Sequence, residues 1–201
     1  PDRALVTDAE ARAKADLVEY LDAARDAVLW KLDGLPEFDL RRPMTPTGTN
    51  LLGVLKHLSH VEAGYLGDTF GRPFGEPMPG DAPGDSVHAD MFATADESAE
   101  DIRALAQRAR VHGDATIAAL SLDAEGRVPW WPEDRNQVTL HAVLVRLVGE
   151  WNRHAGHVDI LRELIDGEVG YRPANGNLPP DDEADWPAYV ASLQSIADRF
   201  R

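Results

Sequence analysis

Residues 139–167 read TLHAVLVRLVGEWNRHAGHVDILRELIDG, and the spacing of their apolar positions decides the fold. Leu140, Val143, Leu147, Trp151, Val158 and Ile165 recur at intervals of three, four and seven residues, which lays them along one face of an α-helix. Gly167 supplies the stop signal just beyond Asp166. Two polar residues sit within this apolar face. At about 100° per residue, His154 lies within about 20° of its centre and Glu150 within about 60°. They are four apart, so both project from the same side. Burying a carboxylate and an imidazole among apolar groups costs several kcal/mol unless something compensates. A divalent cation is one compensator, and E-x-x-x-H offers it two ligands from one helix. A hydrogen-bonded core pair is the other reading. His157, about 80° from the centre, falls at the edge of the same region.

A second helical segment, residues 50–67, reads NLLGVLKHLSHVEAGYLG. Its apolar face is Leu51, Val54, Leu55, Leu58 and Tyr65, and His57 flanks that face beside Val54 and Val61. His60 points roughly 160° away, toward solvent or another element. His57 is therefore the better third ligand on geometry, with a satisfied core-edge histidine as the alternative. Glu62 falls near the middle of the apolar face and requires a partner: Arg146, Arg153 or a backbone amide. For His60, His88, His112 and His141 the expected state is solvated or locally bonded. Trp130 and Trp131 read as core plugs rather than substrate platforms.

The remaining chain is helical in pattern. Thr7 and Glu10 have the spacing of a capping box ahead of Leu17, Leu21, Ala24 and Val28, and Gly34 and Pro36 close that first helix. Thr94 and Glu97 repeat the capping spacing before a third helix with Ile102, Leu105, Ala109, Ile117 and Leu120 on one stripe. Between the second and third helices runs a long irregular stretch, 68–93, of the kind that is usually functional or disordered. A short amphipathic segment with Trp186, Tyr189, Leu193, Ile196 and Phe200 ends the chain. No internal repeat and no strand pattern is evident. The expected fold is all-α: a four-helix bundle with a short C-terminal helix, in one domain over residues 1–201.

Composition narrows the function classes. A formal charge of -15 over 201 residues disfavours nucleic acid and an anionic membrane surface as partners. No apolar run approaches the roughly 20 residues of a membrane span, and the N-terminal residues lack the pattern of a secretory signal. With 0 cysteines the chain carries no disulfide and no thiol nucleophile of its own. The expected location is the cytoplasm.

The segments NLLGVLKHLSHVE and LVGEWNRHAGHVDILRELIDG resemble the DinB-like superfamily of metal-binding four-helix bundles, and most closely its mycothiol-associated branch. The likeness extends over most of residues 8–166. Members bind a divalent metal through one residue of the second helix and two, four apart, from the fourth. Those resembling mycothiol-dependent maleylpyruvate isomerase and related thiol S-transferases replace one histidine of the set by glutamate, which corresponds here to Glu150. The resemblance thus implies His57, Glu150 and His154 as metal ligands, in agreement with the helix geometry. It also implies mycothiol as co-substrate, acting as a thiolate on a small electrophile in an S-transferase or isomerase reaction.

Zinc is the first choice of metal, with nickel, manganese or iron also compatible with mixed His/carboxylate ligation. Arg146, Arg153 and His157 are positioned to contact the thiol, and the 68–93 stretch to close over the site. The expected partners are the small thiol and its electrophile, and a homodimer is compatible with the family. Two histidines and a carboxylate also form the facial triad of non-haem iron oxygenases, which the helical reading disfavours. The alternative from another class is a non-catalytic helical bundle that binds a metal or small ligand.

Overall fold

The structure is a computed structural model, and it describes residues 3–79, 84, 86–173, 175–176, 178–179 and 184–201, with side chains from residue 8 onward. The chain forms two compact units, Pro1–Glu168 and Val169–Arg201. Four long helices build the first: α1 (Arg3–Lys31), α3 (Leu51–Leu66), α4 (Ala99–Ala119) and α5 (Leu140–Asp166), with a short α2 (Glu37–Arg41) between α1 and α3. α1 packs on α5, α3 packs on α4, and α3 also meets α5. The second unit carries α6 (Trp186–Ala197), a helix with no buried residue. No described helix is long and apolar enough to cross a membrane.

The apolar stripes read for the four long helices supply the core, while that of the C-terminal helix is exposed. Leu21, Val28, Leu51, Leu55, Leu58, Leu144 and Leu147 are fully buried, each contributing about 1.5–3 kcal/mol by leaving water. The caps of α3 and α5 also follow the sequence. Asn50 Oδ1 accepts from Gly53 N at 2.7 Å, and Thr139 Oγ1 from Ala142 N at 3.3 Å. Gly167 ends α5 in the left-handed region at φ 81°, where a Cβ would be strained.

Three expectations are corrected. The first helix begins at Arg3, so Thr7 lies inside it instead of capping it. The third long helix starts at Ala99, capped by Ser98, whose hydroxyl accepts from Asp101 N while Asp101 accepts from Ser98 N. Glu97 is drawn away to Lys56 Nζ at 2.8 Å, and its bond to Thr94 N closes only the turn before the helix. A two-stranded antiparallel hairpin, β1 (Glu125–Arg127) and β2 (Gln137–Thr139), interrupts the helices with Gly126 opposite Val138. Three-residue strands are too short to display an alternating pattern. Gly126 is needed there because a Cβ would sit 2.6 Å from the Phe70 ring. The hairpin connection carries Trp130 and Trp131 toward α3.

Glu62 has its partner, but from a helix the sequence reading did not consider. Arg25 of α1 reaches it with two hydrogen bonds, Nε to Oε2 at 3.0 Å and a short one from its terminal nitrogen to Oε1. Both side chains are 1% exposed. Asp22 and Asp114 complete the arginine's coordination at 2.7 and 2.9 Å. Burial is the largest influence on the Glu62 carboxyl and raises its pKa, while the Arg25 charge and hydrogen bonds oppose the rise. The Trp151 indole N–H is close enough to Glu62 to lower that pKa, yet it makes no hydrogen bond of good geometry.

Removing one partner of such a pair strands a charge in the core, so Arg25→Ala and Glu62→Ala are each expected to lower the unfolding free energy by about 3–5 kcal/mol. Urea denaturation measures the loss. Either variant within about 1 kcal/mol of the parent would refute a fastening role for the pair.

Candidate metal centre

α3 and α5 present their polar positions to each other across the top of the core. His57 comes from α3, and Glu150 and His154 come from successive turns of α5. One ligand atom from each of the three lies within 4.8 Å of the other two. His57 Nε2 is 3.4 Å and His154 Nε2 3.2 Å from the same oxygen, Glu150 Oε1. The two imidazole rings lie 5.1 Å apart at 59°. Side-chain exposure is 19% for His57, 32% for Glu150 and 12% for His154, so the cluster is sheltered but reachable.

Each imidazole also has a partner for its outer nitrogen. His57 Nδ1 is 2.6 Å from Asp90 Oδ2, and His154 Nδ1 is 3.3 Å from His157 Nδ1. When His57 donates Nδ1–H to Asp90, its Nε2 lone pair faces the Glu150 oxygen. An acceptor facing an acceptor is repulsive unless a proton or a cation lies between them, which is what a metal-ligand set requires. Burial, then the adjacent His57, lower the pKa of His154, favouring the neutral form a metal needs.

Glu150 opens onto a cavity of about 570 Å³, a volume suited to a small ligand. Its wall includes Tyr65, Trp130 and Arg146 on one side and Asp68, Met78, Pro79 and Asp90 from the 68–93 segment on the other. Trp130 is 51% exposed and stands edge-on to Tyr65 at 5.1 Å. It rests on α3 at Gly64, where an added Cβ would approach the indole to 3.0 Å. Trp131 packs against the core and under the Arg146 guanidinium, 4.8 Å from it. Of the two tryptophans read as plugs, one is a plug and the other is a cavity wall. Arg146 donates from Nε to the Tyr65 hydroxyl at 2.9 Å. Among the described residues no carboxylate is paired with it.

The residues singled out from sequence are thus divided. His57, Glu150 and His154 are together, and His157 touches the cluster through His154. Arg153 is exposed on α5 and does not line the cavity. Asp90 went unnoticed because nothing in its irregular segment marks it. The role of Arg146 in the cavity wall depends on Tyr65 and Trp131, contacts that a helical projection does not display.

A model of the family described as mycothiol-S-transferase matches residues 16–167, the span that holds all four long helices except the start of α1. No curated protein matches the chain.

His60, on the cavity wall, is buried at 8% exposure and bonded through Nδ1 to the Lys56 carbonyl at 2.8 Å. The local-bond expectation therefore holds, while its burial was not foreseen. Desolvation lowers its pKa from 6.5, the Lys56 charge adding to the effect and Asp90 and Glu97 opposing it. The unfolded chain then binds the proton more readily than the folded one. His60 accordingly contributes stability that is fully present above about 6.5 and is lost as pH falls through the lower folded value. A His60→Gln variant is expected to flatten the fall in unfolding free energy as pH drops below about 6.5. Parallel pH curves for parent and variant would contradict this.

Proposed function

The chain belongs to the mycothiol-S-transferase family, and from that premise we propose that it is a divalent-metal-dependent enzyme joining a low-molecular-weight thiol to a small electrophile. The observation that carries the proposal is the convergence of His57 Nε2, His154 Nε2 and Glu150 Oε1, ligand atoms all within 4.8 Å of one another, at the wall of a cavity. The thiol is mycothiol, as the family description supports, and the reaction is S-transfer or a thiol-dependent isomerisation. His57, Glu150 and His154 would hold the ion, with zinc the first choice.

Three protein ligands suit a catalytic site, because they leave coordination positions open. Bound there, a divalent cation supplies the means of holding a sulfur as thiolate near neutral pH. The chain's own groups do the rest. Glu150 brings one negative charge to the ligand set and keeps it at the cavity wall. Tyr65 and Trp130 offer flat apolar surfaces that exclude water from one side of a bound ligand. Arg146, held by the Tyr65 hydroxyl and by the Trp131 face, presents a fixed cation to polar groups of substrate. His60 Nε2, left as an acceptor by the Nδ1 bond to Lys56, is available to take a proton at the cavity wall. His157 steadies His154 from the outer nitrogen of its ring. The absence of cysteine in the chain accords with a nucleophile that arrives with the co-substrate.

Elemental analysis of the purified protein is expected to find about one divalent ion per chain, lost in His154→Ala. With metal present, mycothiol and a panel of electrophiles should give thiol-dependent turnover. Metal without turnover would leave a binding protein. No metal in either sample after incubation with zinc and nickel would remove the proposal altogether. Arg146→Met is expected to raise KM about tenfold with a smaller effect on kcat, the cost of one charged contact to substrate. An unchanged KM would take Arg146 out of substrate recognition.

A further inference from the structure

Asp90 lies outside the helices and strands of the fold, yet its carboxylate is placed on the outer nitrogen of His57 at 2.6 Å. The placement has a visible cause in the backbone around it. Met91 lies against α3 so closely that a Cβ on Gly53 would fall 1.9 Å from the Met91 carbonyl oxygen. Gly53 and His57 are four apart on α3 and share a face, so this seat lies one turn from the imidazole that Asp90 meets. The next residues are tied down as well. Lys56 Nζ, 6% exposed as a residue, donates to the Phe92 carbonyl at 3.1 Å and to Glu97 Oε2 at 2.8 Å. Arg41 of α2 donates to the carbonyls of Ala93 and Thr94 at 3.2 and 2.9 Å.

We propose that Asp90 is a positioning residue of the metal centre, and that the ties on residues 91–97 hold in place the backbone that delivers it. Asp90 accepts the Nδ1 proton of His57, which fixes the tautomer and aims the Nε2 lone pair at Glu150. Groups in this role typically change metal affinity by 10- to 100-fold. Gly53, Lys56 and Arg41 act at one remove, by holding the backbone from which Asp90 reaches. This inference rests on the metal-centre reading above and adds to it a fourth residue and a mechanical link between α2, α3 and the ligand set.

The test uses zinc affinity by competition with a chromophoric chelator, and the visible absorption of the cobalt(II)-loaded protein. Asp90→Ala is expected to weaken zinc binding about 100-fold. Asp90→Asn keeps an acceptor oxygen but loses the charge, so a loss nearer tenfold is expected. Gly53→Ala changes no side chain at the site, but it must displace Met91, and it too should weaken zinc binding by about tenfold. All three should shift the cobalt bands, which report ligand geometry and which a change in global stability alone would not move. If Gly53→Ala fails to fold, the two Asp90 variants decide the matter. Zinc affinity within twofold of the parent and unshifted cobalt bands in Asp90→Ala would overturn the inference and leave the metal centre standing, provided His154→Ala loses its metal. A parent protein that takes up neither zinc nor cobalt would overturn both.

Discussion

A carboxylate that leans into a helical bundle must meet a positive charge, and this protein meets that constraint twice in different ways. Glu62, at the centre of the α3 face, is matched by Arg25 from α1, with both side chains almost completely withdrawn from water. Glu150, at the edge of the α5 face, has two imidazole nitrogens around one oxygen and, among the described residues, no arginine or lysine paired with it. Attraction between unit charges in a protein interior greatly exceeds that in water, so the demand is strict at Glu62, 1% exposed, and weaker at Glu150, 32% exposed. At Glu62 the answer is part of the chain and yields a fastening between helices. At Glu150 the chain supplies further ligands where a cation would otherwise stand, which is the logic of a metal site.

The two arrangements also divide the labour between the faces of α3. The stripe bearing Leu51, Leu55, Leu58 and Glu62 is packed into the bundle and fixes the helix against α1 and α4. The flank bearing Gly53 and His57 faces the irregular segment, and His60, Gly64 and Tyr65 line the cavity with residues of the hairpin connection and α5. Since the first stripe cannot move without exposing Arg25 and Glu62, the second is held in register with α5. His57 on α3 meets Glu150 and His154 on α5 at a few ångströms, one turn of α3 and more from the salt bridge.

What could be read from sequence follows from the range of each signal. Helix periodicity and capping are local, so Leu140–Asp166 and Leu51–Leu66 were legible almost to the residue, and the grouping of His57, Glu150 and His154 followed from projecting two helices. Glu62 was legible as a carboxylate in need of a partner, but the choice of Arg25, 37 residues away, depends on which helices become neighbours. The Thr94–Glu97 spacing was misleading because two overlapping capping patterns compete, and Lys56 claims Glu97 for tertiary reasons. The hairpin was invisible because its strands are three residues long, and its contact with the Phe70 ring is made through a glycine, which leaves no side-chain pattern.

Asp90 marks the limit most clearly, since its effect depends on a backbone contact between Met91 and a glycine of a distant helix. No pattern of side-chain types encodes that approach; the only trace in the sequence is a glycine in the interior of a helix, at a position where alanine would otherwise be favoured by about 1 kcal/mol. The residue is tolerable in α3 because its missing Cβ admits another stretch of chain. Irregular segments are commonly regarded as mobile covers for a site built on rigid elements. Here residues 91–94 are held by an arginine from α2, a lysine from α3 and the absence of one methyl group, and the Asp90 carboxylate reaches His57 from outside the helices and strands.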